Sequence, residues 1–157
     1  MVSVGLIHLS AESSGVGHDS KKTDGPTGEC MAIVVVIDDD EQVRRAVERF
    51  LVRRGHDVIT AKDGHDAMRR TSHCVPDLFI TDIYMPECDG LEMITLLRAK
   101  RADVPIIAMS AGQLQGVDVL GMAGRLGAQV RLSKPFNETQ LLAAVDQAFA
   151  AAGPGTS

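Results

Sequence analysis

Four short apolar runs, each closed by a residue suited to phosphate or metal, constrain this chain more than anything else in it. Ala32-Ile33-Val34-Val35-Val36-Ile37 leads into Asp38-Asp39-Asp40, and Leu78-Phe79-Ile80-Thr81 leads into Asp82. Ile106-Ile107-Ala108-Met109 leads into Ser110, and Val130-Arg131-Leu132-Ser133 leads into Lys134-Pro135. A short unbroken apolar run reads as a strand covered on both faces, which is the habit of parallel sheets. In an open α/β sheet, ligands collect outside the carboxyl ends of such strands. Carboxylates, a hydroxyl and an ammonium thus converge on one edge, as a phosphoryl site built around a cation requires.

The segments between the runs carry helical periodicity. Val43, Ala46, Val47, Phe50 and Leu51 fall at i, i+3, i+4, i+7 and i+8 and predict a helix over Glu41 to Arg54, ended by Gly55. A short strand is expected at Asp57 to Thr60, and a helix from Asp63-Gly64 to Thr71. A third helix is expected from Gly90 to Ala99, with Asp89 as its N-cap and Glu92 placed for a capping box. A fourth lies within Gln113 to Leu126, and the last strand covers Gln129 to Leu132. A fifth helix follows Asn137, with Gln140 three residues on and a stripe of Leu141, Leu142, Val145, Ala148 and Phe149. Five β-α units predict one α/β domain over 31–152, a parallel sheet with helices on both faces.

Composition narrows the function classes. With 3% aromatic residues and no Trp, the core has to be aliphatic. The net charge of −5 argues against a polyanion partner, because counterion release needs a basic face. Cys30, Cys74 and Cys88 form no C-x-x-C pair and are odd in number, so a reduced cytoplasmic protein without disulfide or zinc is expected. No apolar run approaches the ~20 residues of a membrane span, and Met1 to Leu9 lacks the basic start of a signal peptide. Residues 10–30 lack apolar periodicity, and 1–30 are expected to be a disordered extension, with 153–157 a short tail. Met31 directly before the first strand leaves open that translation starts there.

The acidic residues carry the chemistry. Two carboxylates about 4 Å apart repel by roughly 4 kcal/mol at an effective dielectric near 20. A fold that gathers Asp38, Asp39 and Asp82 must protonate one or bind a cation, and an oxygen-only set that shares its shell with phosphate suits Mg²⁺. Asp82, presented before Met85-Pro86, is placed to act as a nucleophile and become an aspartyl phosphate. Lys134 supplies positive charge, and Ser110 a hydroxyl for a phosphoryl oxygen. Singly, each feature has an ordinary structural explanation as a helix cap or a turn. Four of them at successive strand ends do not.

Over about Ala32 to Ala150 the chain resembles the receiver domains of two-component response regulators. The matching stretches are Val36-Ile37-Asp38-Asp39-Asp40, Thr81-Asp82-Ile83-Tyr84-Met85-Pro86 with Asp89-Gly90, Met109-Ser110-Ala111, and Ser133-Lys134-Pro135-Phe136. The resemblance implies a flavodoxin-like (βα)5 fold with strand order 2-1-3-4-5. It implies a stand-alone response regulator, a signalling domain rather than an enzyme, in which Asp82 accepts a phosphoryl group from a histidine kinase or a histidine phosphotransfer protein. It further implies that Asp38, Asp39, Asp82 and the Tyr84 backbone carbonyl serve Mg²⁺, with Asp38 acting mainly through water. Ser110 and Lys134 would contact the phosphoryl oxygens, and a cis Lys134-Pro135 bond is expected. Partners would be that donor and a downstream target protein, with no nucleic acid and no membrane.

Against the family pattern, Arg131 stands three residues before the lysine, where receivers commonly carry a Tyr or Phe that turns inward on phosphorylation. Gly116, Gly121 and Gly124 weaken the fourth helix by on the order of 1 kcal/mol each if interior, so output is expected to work through a loosened helix. Tyr84 and Gly112 occupy positions that tune dephosphorylation in the family. The rival reading is a haloacid-dehalogenase-like phosphatase using Asp38 and Asp40, with Ser110 and Lys134. It lacks acidic ligands after Lys134 outside the last helix and leaves Asp82 unexplained. The Arg44-Arg45, Arg53-Arg54 and Arg69-Arg70 pairs have no interleaved aromatics and are expected on solvated helix faces. His8, His18, His56, His65 and His73 show no ligand spacing.

Overall fold

The computed structural model describes residues 31–85, 90–101, 103–111 and 118–153. Strands and helices alternate along the chain: β1 (Ile33–Ile37), α1 (Glu41–Arg53), β2 (Asp57–Ala61), α2 (Gly64–Arg70), β3 (Leu78–Asp82), α3 (Gly90–Lys100), β4 (Ile106–Ser110), α4 (Val119–Leu126), β5 (Val130–Ser133) and α5 (Glu138–Ala152). The five strands form one sheet in the order β2-β1-β3-β4-β5, and every neighbouring pair is parallel. This is the order implied by the resemblance.

The sheet separates two apolar layers, and the period-2 alternation of the strands decides which side chain joins which. Val35 and Ile37 of β1, Phe79 of β3, and Ile106 and Ala108 of β4 face the layer that takes Ala67 of α2, Met93, Ile94 and Leu97 of α3, and Ala123 of α4. Val34, Val36, Leu78, Ile80, Ile107 and Met109 face the other layer, closed by Val47 and Leu51 of α1 and by Leu141, Ala144, Val145 and Ala148 of α5. Both faces are covered, which is why β1, β3 and β4 read as unbroken apolar runs. Burying each large aliphatic side chain contributes roughly 1.5–3 kcal/mol.

Helix boundaries follow local chemistry. The Asp40 carboxylate accepts from the amides of Gln42 and Val43 and starts α1. Asn137 and Gln140 form the expected capping box at α5, both bonds at 2.9 Å. Asp118 caps α4, and Gly127 ends it at φ +116°, a left-handed conformation that favours glycine. Gly121 and Gly124 lie within α4; Gly116 and Gly112, like the proposed cap Asp89, lie outside the described residues, as do residues 1–30, Cys30 and Cys88.

β5 starts one residue later than its periodicity suggests. Gln129 serves as a bracket: its Oε1 accepts from the Ile106 amide (2.8 Å) and from Arg98 (2.9 Å). Arg98, reaching from α3, also donates to the carbonyls of Gly127 (2.8 Å) and Val104 (2.6 Å), tying the end of α3 to the end of α4 and the start of β4.

Candidate functional site

β1 and β3 are adjacent, with Ile37 opposite Thr81, so the residues that follow them emerge side by side. Asp38 is fully buried. Its Oδ1 accepts from the Asp40 amide (2.9 Å), and its Oδ2 from Lys134 Nζ (2.5 Å). Asp82, the last residue of β3, is 5% exposed. Its Oδ1 accepts from the Ile83 amide (2.8 Å), and its Oδ2 lies 3.4 Å from Lys134 Nζ. Asp39 is exposed. One carboxylate oxygen from each of Asp38, Asp39 and Asp82 can be chosen so that all lie within 4.8 Å of one another. The donor set is oxygen alone, with two of three carboxylates buried, which suits a hard cation such as Mg²⁺.

Ser110 ends β4 fully buried. Its carbonyl accepts from the Lys134 amide (2.7 Å), joining the β4 and β5 ends of the site. The Lys134-Pro135 peptide is cis, as the resemblance implies. Tyr84 stands at the rim, 37% exposed. The five strand-end residues are thus brought together, and Asp40 is not among them. Its carboxylate caps α1 through Oδ1, a structural role that the phosphatase reading, which needs Asp38 with Asp40, does not account for.

The electrostatics of the site are opposed. Burial pushes the Asp82 carboxyl above the ordinary aspartate range; Lys134 works against this, and the charge on Asp38 adds to it. Burial works against the Lys134 ammonium, but its hydrogen bond and attraction to Asp38, and then to Asp82, hold it above the ordinary lysine range. Lys134 therefore stays charged at neutral pH.

Two residues of the site were not legible as such. Gly90 opens α3 against the end of β3. A Cβ there would stand 2.1 Å from the Asp82 carbonyl oxygen and 2.6 Å from Ile83 Cα. Only glycine permits that approach, and the Asp-Gly pair was its sole sequence signal. Arg44, expected on a solvated face, turns inward: it is half-buried, and its guanidinium donates to the carbonyls of Asp38 (2.5 Å) and Asp39 (3.0 Å). Arg69 and Arg70 are exposed as expected but pair with the buried Asp66. Arg131 is exposed on β5. A Cβ on Gly124 would sit 3.8 Å from its Cδ, so its stem runs along α4. Among the described residues no helix is long and apolar enough to cross a membrane.

Comparison with known proteins points the same way. The sequence profile of the response regulator receiver domain matches residues 34–146. The transcriptional regulatory protein PrrA of Mycobacterium leprae is 40% identical over 119 residues, 76% of this chain and 50% of PrrA. Protein PilG of Pseudomonas aeruginosa is 35% identical over 114 residues, 71% of this chain and 83% of PilG. The chain spans about half the length of the transcriptional regulators it matches. Among solved structures, the chemotaxis response regulator CheY4 of Vibrio cholerae superposes with a TM-score of 0.68 at 28% identity, covering 75% of this chain and 98% of CheY4.

Proposed function

This chain belongs to the response regulator receiver domain family, and we propose that it accepts a phosphoryl group on Asp82 from a phosphohistidine of a sensor kinase or phosphotransfer protein, and so switches which protein it binds. The observation that carries this reading is Lys134 Nζ between two carboxylates, 2.5 Å from Asp38 and 3.4 Å from Asp82, with Asp39 beside them. The ammonium, together with a cation that the carboxylates would hold, supplies the positive charge a transferring phosphoryl group needs.

In this reading an Asp82 carboxylate oxygen bonds to phosphorus as the phosphorus–nitrogen bond of the donor breaks. The released electron pair stays on the donor's imidazole nitrogen. Lys134 holds one phosphoryl oxygen, and the Ser110 hydroxyl donates to another. Asp38, Asp39, Asp82 and the Tyr84 carbonyl would hold Mg²⁺, which, when bound, offsets the charge on the transferring group. The Tyr84 ring at the rim screens the acyl phosphate from water. Beside Lys134 a largely apolar cavity of about 460 Å³, between α1 (Val43, Ala46, Val47, Phe50) and Ala111 with Pro135-Phe136, offers room for side chains of the donor protein.

Output is through protein contacts made by the receiver itself, acting as a single-domain regulator in the cytoplasm. PilG supports this, since the match covers most of it. With Arg131 in the place of the usual aromatic, α4 and β5 transmit the change without an inward-turning ring.

The test is to incubate the protein with a small phosphodonor and Mg²⁺ and map the modified residue. Label on Asp82 that is lost in Asp82→Asn is the expected result. Label on Asp38, or turnover of many phosphate esters, would overturn the assignment.

A further inference from the structure

We propose that Arg44 is a positioning residue for the acidic ligands: its guanidinium fixes the backbone that carries Asp38 and Asp39, and thereby sets the affinity of the site for Mg²⁺. The inference rests on the reading of the carboxylate cluster as a Mg²⁺ site.

Arg44 lies in the first turns of α1, where a cation is disfavoured by the helix dipole. Its placement there is compensated by two hydrogen bonds from one nitrogen, to the carbonyl of Asp38 (2.5 Å) and to that of Asp39 (3.0 Å). These two carbonyls belong to consecutive peptides. Pinning both oxygens to one nitrogen orients both peptide planes and so directs the Cα–Cβ bonds of the two aspartates.

The two carboxylates depend on that grip unequally. Asp38 is also held through its side chain, by the Asp40 amide and by Lys134. The Asp39 carboxylate is exposed and accepts no hydrogen bond among the described residues. Among the described residues its placement depends on its backbone, which the Arg44 contact holds together with the Asp40 amide bond to Asp38 Oδ1. A group that orients a ligand without touching the ion commonly changes metal affinity 10–100-fold when removed.

Charge and position make opposite predictions, which makes the proposal testable. As a nearby cation, Arg44 repels Mg²⁺, so removing it for its charge alone would tighten binding. As a positioning group, its removal lets Asp39 wander and weakens binding. The experiment is calorimetric titration of the full chain with MgCl₂, comparing the parent with Arg44→Met and Arg44→Lys. Methionine keeps the apolar stem and removes the donors; lysine keeps a charged donor head. Circular dichroism confirms that each is folded at the titration temperature.

The Met variant should show a dissociation constant raised about tenfold, and the Lys variant one within about threefold of the parent. Arg44→Met binding Mg²⁺ as tightly as the parent, or more tightly, overturns the proposal; so does a Lys variant no better than Met. Should the Met variant not fold, Arg44→Leu, which likewise lacks the donors, takes its place with the same criterion. If the parent shows no saturable Mg²⁺ binding, it is the metal reading that fails.

Discussion

Replacing Asp82 with Asn should stabilise the protein by about 2 kcal/mol at pH 7 when no divalent cation is present. The ligand oxygens of Asp38, Asp39 and Asp82 lie within 4.8 Å of one another. At an effective dielectric of about 20, each of the other two then repels a charge on Asp82 by at least roughly 3.5 kcal/mol. Lys134 Nζ, 3.4 Å away, returns roughly 5 kcal/mol. Asp39 is exposed, so its share is screened, while desolvation of the nearly buried Asp82 carboxylate adds a cost of its own. With Asp39 screened the Coulomb contributions nearly cancel, and desolvation leaves the charge on Asp82 a net liability on the order of 2 kcal/mol, while asparagine keeps the shape without it. The direction agrees with burial holding the Asp82 carboxyl above its ordinary range. A carboxyl whose folded pKa lies above its unfolded one carries no penalty below the unfolded value, and the penalty sets in as pH rises through the folded one. The advantage of Asp82→Asn should therefore grow with pH through the acid range and level off toward neutrality. Urea unfolding of both proteins by circular dichroism, in EDTA at a series of pH values, measures it. Thermal scans should show a rise on the order of 5–10 °C. Adding Mg²⁺ stabilises the parent by mass action more than the variant and narrows the gap. An asparagine variant no more stable than the parent in EDTA at pH 7, or a gap indifferent to pH, would refute the reasoning.

Lys134→Met should act in the opposite sense. It leaves the fully buried Asp38 without its cation and should cost about 3 kcal/mol in urea unfolding in EDTA. In the parent, the folded-state pKa of Lys134 is raised, so its contribution is whole at neutral pH and should fade only in alkaline titrations that pass through that pKa. Gly90→Ala should destabilise by about 1–3 kcal/mol, since its Cβ meets backbone atoms at the Asp82 carbonyl that cannot simply rotate away. It should also slow labelling of Asp82 by a small phosphodonor, because the residue that must move carries the acceptor.

What was legible in the sequence is what depends on the order of residues along a strand. The sheet, its two covered faces and the convergence of Asp38, Asp82, Ser110 and Lys134 follow from apolar runs and what ends them. The three consecutive aspartates could not be told apart on that basis. Only the structure shows Asp38 bound to Lys134, Asp39 exposed and Asp40 capping α1. Arg44 and Arg45 are adjacent arginines on an amphipathic helix, and nothing local says that one turns back to the preceding loop while the other pairs with Glu41. The Arg98 bonds to Gly127 join positions 29 residues apart, and Gly90 matters through its approach to Asp82. Such facts arise from tertiary closure, to which periodicity is blind. The one-residue delay of β5 has the same origin, in Gln129 being drawn into that bracket.

The ion pair between Lys134 and Asp38 has a consequence for how the molecule comes into being. Its partners are 96 residues apart, and Asp82 precedes Lys134 by 52 positions. On a ribosome adding roughly 5–20 residues per second, the acidic residues are made several seconds before their counter-cation exists. During that interval the carboxylates of Asp38 and Asp82 lack the ammonium that lies between them in the finished fold. Under the proposed function, a nascent chain acquires the lysine its phosphoryl site uses only when nearly all of the domain has been made.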